Sequence, residues 1–384
     1  MSYLTSKTLI DSVRRRCSLP KSDSMFSNED ILAFANDEMM DSLVPLIKSN
    51  QEEYLVWNTI IPLASTSAYS IPERAVGNAL RDLCFLDDNE NEYEMTRITR
   101  DDRYMNQYVS TFSQPYRYYL ENSDIILSGS LPIAPTGSLK FSYLIRPNQL
   151  VLSDQVVKIN SISEGFVPLT SIVNGITTTL TTPTPHNVSV NETVLLNSVV
   201  GDSSINSTYS VVEVVNANTF KINFDSSLLG AFVNGIVYNN TKLIAVDKVP
   251  SMFSINEKID FVKSRSPHNL LMIDQDILQI NIAQNTLTFK NIPPSLQKGD
   301  TIANAQTTDI PNVPTELHRV LVSKVCERIM ESMGDQAGYQ VANRKASESM
   351  GAMNELIDNR VTSAPLKLKK RHGFLSNGRN RRRF

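Results

Sequence analysis

The chain is poor in the residues that usually announce chemistry. It has three cysteines in 384 residues, and Cys17, Cys84 and Cys326 lie too far apart for a short-spaced metal site, so they are read as reduced packing residues. The four histidines, His186, His268, His318 and His372, fall in separate segments and are read as surface or loop residues. Glycine is scarce at 14 residues, and no phosphate-cradling glycine loop, His-Glu-x-x-His pair, nucleophile elbow or kinase signature occurs. The chain is therefore expected to be non-enzymatic, with no cofactor and no metal. No apolar run approaches the roughly 18 to 20 residues that cross a bilayer. Met1 to Ile10 lacks the basic flank and apolar stretch of a signal peptide. A soluble protein with no membrane partner, remaining in the cytosol where it is made, is expected.

Acidic residues are also missing from one place. None occurs after Asp358, whereas nine of the 37 Lys and Arg residues lie from Arg360 onward, leaving the body near −12 although the whole chain is at −3. The closing segment interleaves apolar and basic residues: Leu366, Lys367, Leu368, Lys369, Lys370, Arg371, Phe374, Leu375, Arg379, Arg381, Arg382, Arg383 and Phe384. Such alternation suits an extended arm laid on a partner, with Pro365 preventing helical continuation. A solubilising tail or nonspecific contact with DNA are the plainer readings.

What is present is patterned like a globular protein of more than one unit, with 41% hydrophobic and 20% charged residues. Leu9, Ile10, Val13 and Cys17 share one helical face, and Ile31, Leu32, Ala35, Met39 and Leu43 another. Ser27 and Asp30 are spaced for a capping box at the start of the second helix. Between Tyr54 and Leu152, short runs at Tyr54 to Ile61, Arg117 to Leu120, Ile125 to Leu127 and Leu139 to Ile145 read as antiparallel strands. The face Leu139, Phe141, Tyr143, Ile145 is expected to pack on the helices. From Val156 to Ala305 the chain turns rich in Ser, Thr, Asn and Val, with turn dipeptides at Asn174-Gly175 and Asn234-Gly235. Ser189 to Val194 (SVNETV) is echoed by Ser254 to Ile259 (SINEKI) and, more loosely, by Gln297 to Ile302 (QKGDTI). The echo points to two modules and leaves one open. Helical spacing returns at Leu317, Val320, Leu321, Val325, Ile329 and Met333, with Gly334 as a stop, and again from about Gly338 to Asn359.

The expected fold is α+β: N- and C-terminal helices form one bundle with an antiparallel sheet, and all-β modules are inserted. The units are 1–155, the N-terminal helices and sheet; 156–305, the β insertion; 306–360, the C-terminal helices; and 361–384, the basic arm. Asp87, Asp88, Glu90 and Glu92, with Asp101 and Asp102, are read as a solvated mixed-charge stretch beside Arg97, Arg100 and Arg103 rather than as catalytic carboxylates.

Several segments resemble tailed-bacteriophage head-to-tail connector, or adaptor, proteins. TLIDSVRRRC and FSNEDILAFANDEMMDSLVPLI resemble their two N-terminal helices, GSLPIAPTGSLKFSYLIRPNQLV their strand pair and Arg-Pro-x-x-Leu exit, and Leu296 to Asp335 their return into C-terminal helices. Thr182 to Phe220 is similar to a small β module of phage structural proteins, with Asn187 and Asn191 where glycines are commoner. The size and β insertion suit the large ring proteins of short-tailed, crAss-like phages. The resemblance implies a virion protein made in the host cytoplasm, a homo-oligomeric ring of twelve under the portal that extends the DNA ejection channel without sequence-specific binding. The portal and downstream tail or ring proteins are the implied partners. In such a ring an acidic edge can meet a basic edge on the next subunit, for which Arg14, Arg15 and Arg16 are candidates; a solvated helix end, where arginines suit the C-terminal dipole, is the plainer reading. The alternatives are a tail-associated receptor-binding or decoration protein, suggested by the β modules, and a nucleic-acid-binding protein, suggested by the Arg-rich end.

Overall fold

The computed structural model describes residues 4–20, 25–64, 66–102, 117–128, 136–201, 203–232, 234–264 and 270–357. Two helices open the chain, α1 (Ser6–Arg16) and α2 (Asn28–Glu38). Ser27 accepts from Asp30 N while Asp30 accepts from Ser27 N, so the capping box forms in both directions. After α2 the helix widens into a π turn over Met39–Leu43 and resumes as α3 (Val44–Asn50). Pro45 sits at the seam; lacking an N–H, it cannot continue the i to i−4 ladder, and the wider turn accommodates it.

Eight strands follow: β1 (Val56–Pro62), β2 (Ala68–Ser70), β3 (Ala75–Leu86), β4 (Glu92–Glu94), β5 (Thr96–Arg97), β6 (Arg117–Glu121), β7 (Asp124–Ser128) and β8 (Ser138–Ile145). They form two sheets, ordered β1-β8-β3-β4 and β2-β7-β6-β5. Leu139, Phe141, Tyr143 and Ile145 of β8 share a core with Leu63, Tyr69, Leu83, Ile125 and Leu127. This corrects the expectation that they face the helices: the second sheet covers them, because alternate residues of a strand point to opposite sides and the β6–β7 hairpin supplies the apolar cover. Leu144, on the other face, is the β8 residue buried against the helices.

The chain then passes through β9 (Gln149–Leu150) into the insertion, made of β10 (Val157–Pro168), β11 (Ser171–Val173), β12 (Thr178–Thr181), β13 (Thr193–Asn197), β14 (Thr208–Asn216), β15 (Thr219–Ile222), β16 (Ile236–Val246), β17 (Lys258–Val262), β18 (Leu270–Asp276), β19 (Gln279–Asn281), β20 (Thr286–Phe289) and β21 (Thr301–Asn304). It contains two separate cores. The inner one gathers Val157, Ile159, Ile244, Ile259, Phe261, Leu287, Phe289 and Ile302. The outer one gathers Val167, Leu180, Val194, Leu196, Val211, Phe220, Ile222 and Val237. The long antiparallel pair β10 and β16 runs through both, with a register shift between Glu164 and Phe166 where it leaves one core for the other. Gly165 occupies that shift. A Cβ there would lie 2.0 Å from Thr241 Oγ1, so only glycine fits the crossing. Asn234-Gly235 leads into β16 rather than turning a hairpin, whereas Asn174-Gly175 lies between β11 and β12.

The three sequence echoes are the same turn. Ser189 N, Ser254 N and Gln297 N donate to the side chains of Glu192, Glu257 and Asp300 at 2.7, 2.9 and 2.9 Å. The third residue of each, Asn191, Asn256 and Gly299, has positive φ and donates its N–H to a strand partner, Val211, Ile277 or Ile159. Each partner returns a bond from its own N–H to the carbonyl of the acid. Asn187 also has positive φ, so asparagine takes the left-handed conformations in which glycine is the default.

The outgoing strand β22 (Thr307–Thr308) pairs in parallel with β9, closing the neck of the insertion. The helices α4 (His318–Ser332) and α5 (Gln336–Ile357) complete the bundle, and Gly334 at φ +70 ends α4. Leu9, Val13, Ile31, Leu32, Leu43 and Ile47 share one core with Leu317, Val320, Leu321, Val325 and Ile329. Ser6 N donates to Asp309 O across 303 residues of sequence. The fold is α+β, its two ends joined in a single helical core.

Candidate assembly surfaces

The basic run of α1 divides by direction. Arg14 is buried and turned into its own chain, donating to Pro20 O at 2.8 Å, Phe26 O at 2.9 Å and Asn28 Oδ1 at 3.1 Å. Its guanidinium is therefore spent on fixing the α1–α2 link. Arg15 and Arg16 are exposed, and Arg16 reaches α4 through Ser323 Oγ at 2.9 Å.

Arg16 lies on the rim of a groove of about 870 Å³ between α1, α4 and α5. Arg319 and Lys345 add cationic charge, Glu348 is the acid, and Cys326, Met330, Val341 and Ala342 give an apolar floor. Cys326 also meets Cys17, which caps α1; a hydrogen bond from Cys326 holds the Cys17 thiol below its ordinary range, while that donation and burial push Cys326 up. All three cysteines are free and buried. Burial, with Asp82 nearby, pushes Cys84 up to about 11.

The acidic cluster lies on the β3–β4 hairpin. Asp87 closes the turn, accepting from Asn89 N, Asn91 N and Asn91 Nδ2 at 2.9, 2.8 and 2.9 Å, and these donors hold its carboxyl below the usual range. Glu92 pairs with Lys140. Asp88, Glu90 and Glu94 are exposed, with no ion pair among the described residues.

The neck holds a site that sequence reading missed. Arg74, 4% exposed, makes a two-pronged contact with fully buried Asp260, at 2.8 Å for both bonds, and reaches Asp274 Oδ1 at 2.7 Å. Asp260 also accepts from Asn148 Nδ2 at 2.6 Å, Gln306 N at 3.0 Å and Asp274 N at 3.1 Å. Burial disfavours the Arg74 charge, but Asp260 and Asp274 outweigh it and raise its pKa. The Arg-Pro-x-x-Leu segment runs through this neck. Arg146 N donates to Arg74 O, Asn148 joins the cluster, and Leu150 enters the helical core while Asn36 of α2 bonds both its N–H and its carbonyl. Nothing in local sequence marks Asp260 or Arg74, since they are 186 residues apart.

The outer module carries an exposed apolar row. Phe166 and Leu195, 51% and 42% exposed, flank Tyr238 in direct register on three adjacent strands. His186 is buried, accepting from Val188 N at 3.1 Å and bonded to Asn216 O at 2.9 Å. His318 is buried too, and burial lowers its pKa. Among the described residues no three His, Cys, Asp or Glu side chains are grouped to hold a metal, and no helix is long and apolar enough to cross a membrane. The whole basic arm, Leu366 to Phe384, lies outside the described residues, as do His268 and His372. The chain matches no family model and no curated protein.

Proposed function

We propose that the chain is a structural, non-enzymatic adaptor of a tailed-bacteriophage particle, forming a ring of about twelve copies between portal and tail, the count following the family the sequence resembles. One observation supports it above the others. The segments that resemble the connector's opening and closing helices, bridged by the Ser6 to Asp309 bond, form one core, and the β insertion leaves that core through a two-strand neck. Such a division suits a ring subunit: a compact body can match its neighbours while an appendage alters the surface without disturbing it. In this reading the chain resides in the virion, DNA passes through the channel without sequence-specific contacts, and the basic arm from Pro365 docks on the portal or an adjacent subunit. Arginine contacts to carboxylates predict an acidic receiving groove.

The test is negative-stain imaging and mass measurement of the purified full-length chain, alone and with its portal. Rings, or rings formed on portal, are expected, and a chain truncated after Ala364 should attach to portal-bearing heads less well with unchanged melting. A monomer with no affinity for portal overturns the reading. The row of exposed Phe166 and Leu195 flanking half-buried Tyr238 favours a second reading, a tail-associated receptor-binding or decoration protein, which direct attachment of the purified chain to host cells would support.

A further inference from the structure

We propose that the α1–α4–α5 groove of one copy receives the acidic β3–β4 hairpin of a second copy. This rests on the reading of the chain as a ring subunit and names the surfaces that meet. The groove is built to be covered. Among the described side chains of α5 only Ala346 is fully buried, and Val341, facing the groove, is 46% exposed. Its cations Arg16, Arg319 and Lys345 exceed its acid Glu348, which already lies 3.8 Å from Arg344.

The hairpin offers the complement. Asp88, Glu90 and Glu94 are in no ion pair among the described residues, and Tyr93, 42% exposed, supplies an aromatic anchor of the kind that fills apolar pockets at interface centres. Asp87 fixes the turn through four bonds, from Asn89 N, Asn91 N, Asn91 Nδ2 and the Tyr93 hydroxyl, so little ordering cost remains for docking. The chain's own basic arm is a poor occupant, because a cationic segment would meet a cationic rim. The two surfaces lie on different elements. β4 is the sheet edge farthest in strand order from β1; in the ring reading the contact is heterologous, repeating from copy to copy and closing by rotation.

The experiment measures the mass distribution of the full-length chain in three forms: unaltered, with the groove reversed (Arg319→Glu with Lys345→Glu), and with the hairpin reversed (Asp88→Lys with Glu90→Lys). All four positions are exposed, so thermal melts should be unchanged and confirm folding. Each reversed form alone should lose self-association by at least about tenfold. An equimolar mixture should recover it, since every contact then pairs opposite charges. The proposal fails if either reversed form assembles as the unaltered chain does, or if the mixture stays apart. Rings that form regardless of the reversals would sink this contact and leave the adaptor reading standing; an unaltered chain that is monomeric even with portal would sink both. An effect of the groove reversal alone would assign the groove to another occupant, such as the phosphates of DNA, and would also overturn the proposal.

Discussion

The helical body and the neck that joins it to the β insertion are held by different physics. In the body, apolar side chains from both ends of the chain fill one core, and the pairing of α1 and α2 with α4 rests on area removed from water. The insertion has its own two cores and meets the body at a neck, where a buried arginine, a buried aspartate and a pair of two-residue strands fix the joint and Leu270 and Ile273 of β18 pack on the core of the N-terminal sheets. Apolar packing tolerates small shifts of position. A two-pronged ion pair with three further donors does not, so the neck sets the direction in which the modules leave the body.

The comparison breaks first at the neck. Asp260→Asn keeps the shape but removes the charge that Arg74 is buried against, and removing one partner of such a pair costs about 3 to 5 kcal/mol. Denaturant unfolding should show the loss, and hydrogen exchange should rise at the Gln306 and Asp274 amides that Asp260 accepts from. Replacing both Arg74 and Asp260 with apolar residues should recover only part of it, because those two amides lose their acceptor and Asn148 keeps only its bond to Thr307 O. A neutral Asp260→Asn would mean that the neck is held by its strands and by the packing of Leu270 and Ile273 on the sheet core.

Leu321→Ala tests the other side. Leu321 is fully buried between the two ends of the chain, and a leucine cavity there costs about 2 to 5 kcal/mol. Exchange should quicken in α1, α2 and α4 while amides under Phe261 and Phe220 keep their protection. Equal loss everywhere would show that body and insertion unfold as one unit.

These regions also differ in how well they can be read from sequence. Ile31, Leu32, Ala35, Met39 and Leu43 declare their helix because periodicity is local, and Ser27 with Asp30 declares its start. The neck is silent, since Arg74 and Asp260 acquire meaning only when segments far apart in the chain meet. The face Leu139 to Ile145 was legible as buried but not as to its cover, because alternation says which side is apolar and not what lies against it. The groove is legible only in part: Arg16 stood out in a basic run, whereas Arg319 and Lys345 belong to helices whose charged positions look solvated. Arg14 shows the converse, a charge in the same run taken up by its own chain.

A smaller effect lies in the repeated turns. Asn191, Asn256 and Gly299 hold the same left-handed position, where a Cβ without a compensating local polar group costs about 1 to 2 kcal/mol. Alanine at each should cost about that much by denaturant unfolding, and Asn256→Gly should be nearly neutral. Unequal costs would show that the three turns, alike in hydrogen bonds, differ in what they support.

The smallest effect expected is the most informative about how the insertion is built. Pro168 pairs with Ile236 and Val167 with Val237 at the far end of β10 and β16. Removing residues 169–235 and joining the strand ends by an Asn-Gly turn therefore asks those strands to do only what they already do, since such a turn matches the twist of an antiparallel pair. The inner core keeps every one of its buried residues, because Val157, Ile159, Phe261 and Phe289 all lie outside the excised stretch. What is lost is the cover over Val167 and Val237, which become the tip of a hairpin, together with the His186 carbonyl to which buried Asn239 donates and the Glu192 partner of Lys290. The shortened chain should melt cooperatively within a few degrees of the parent, with the Arg74 to Asp260 neck unaffected. Loss of a cooperative melt would mean that the outer core supports the inner one through the shared strands, and that the crossing at Gly165 joins two halves of one folding unit.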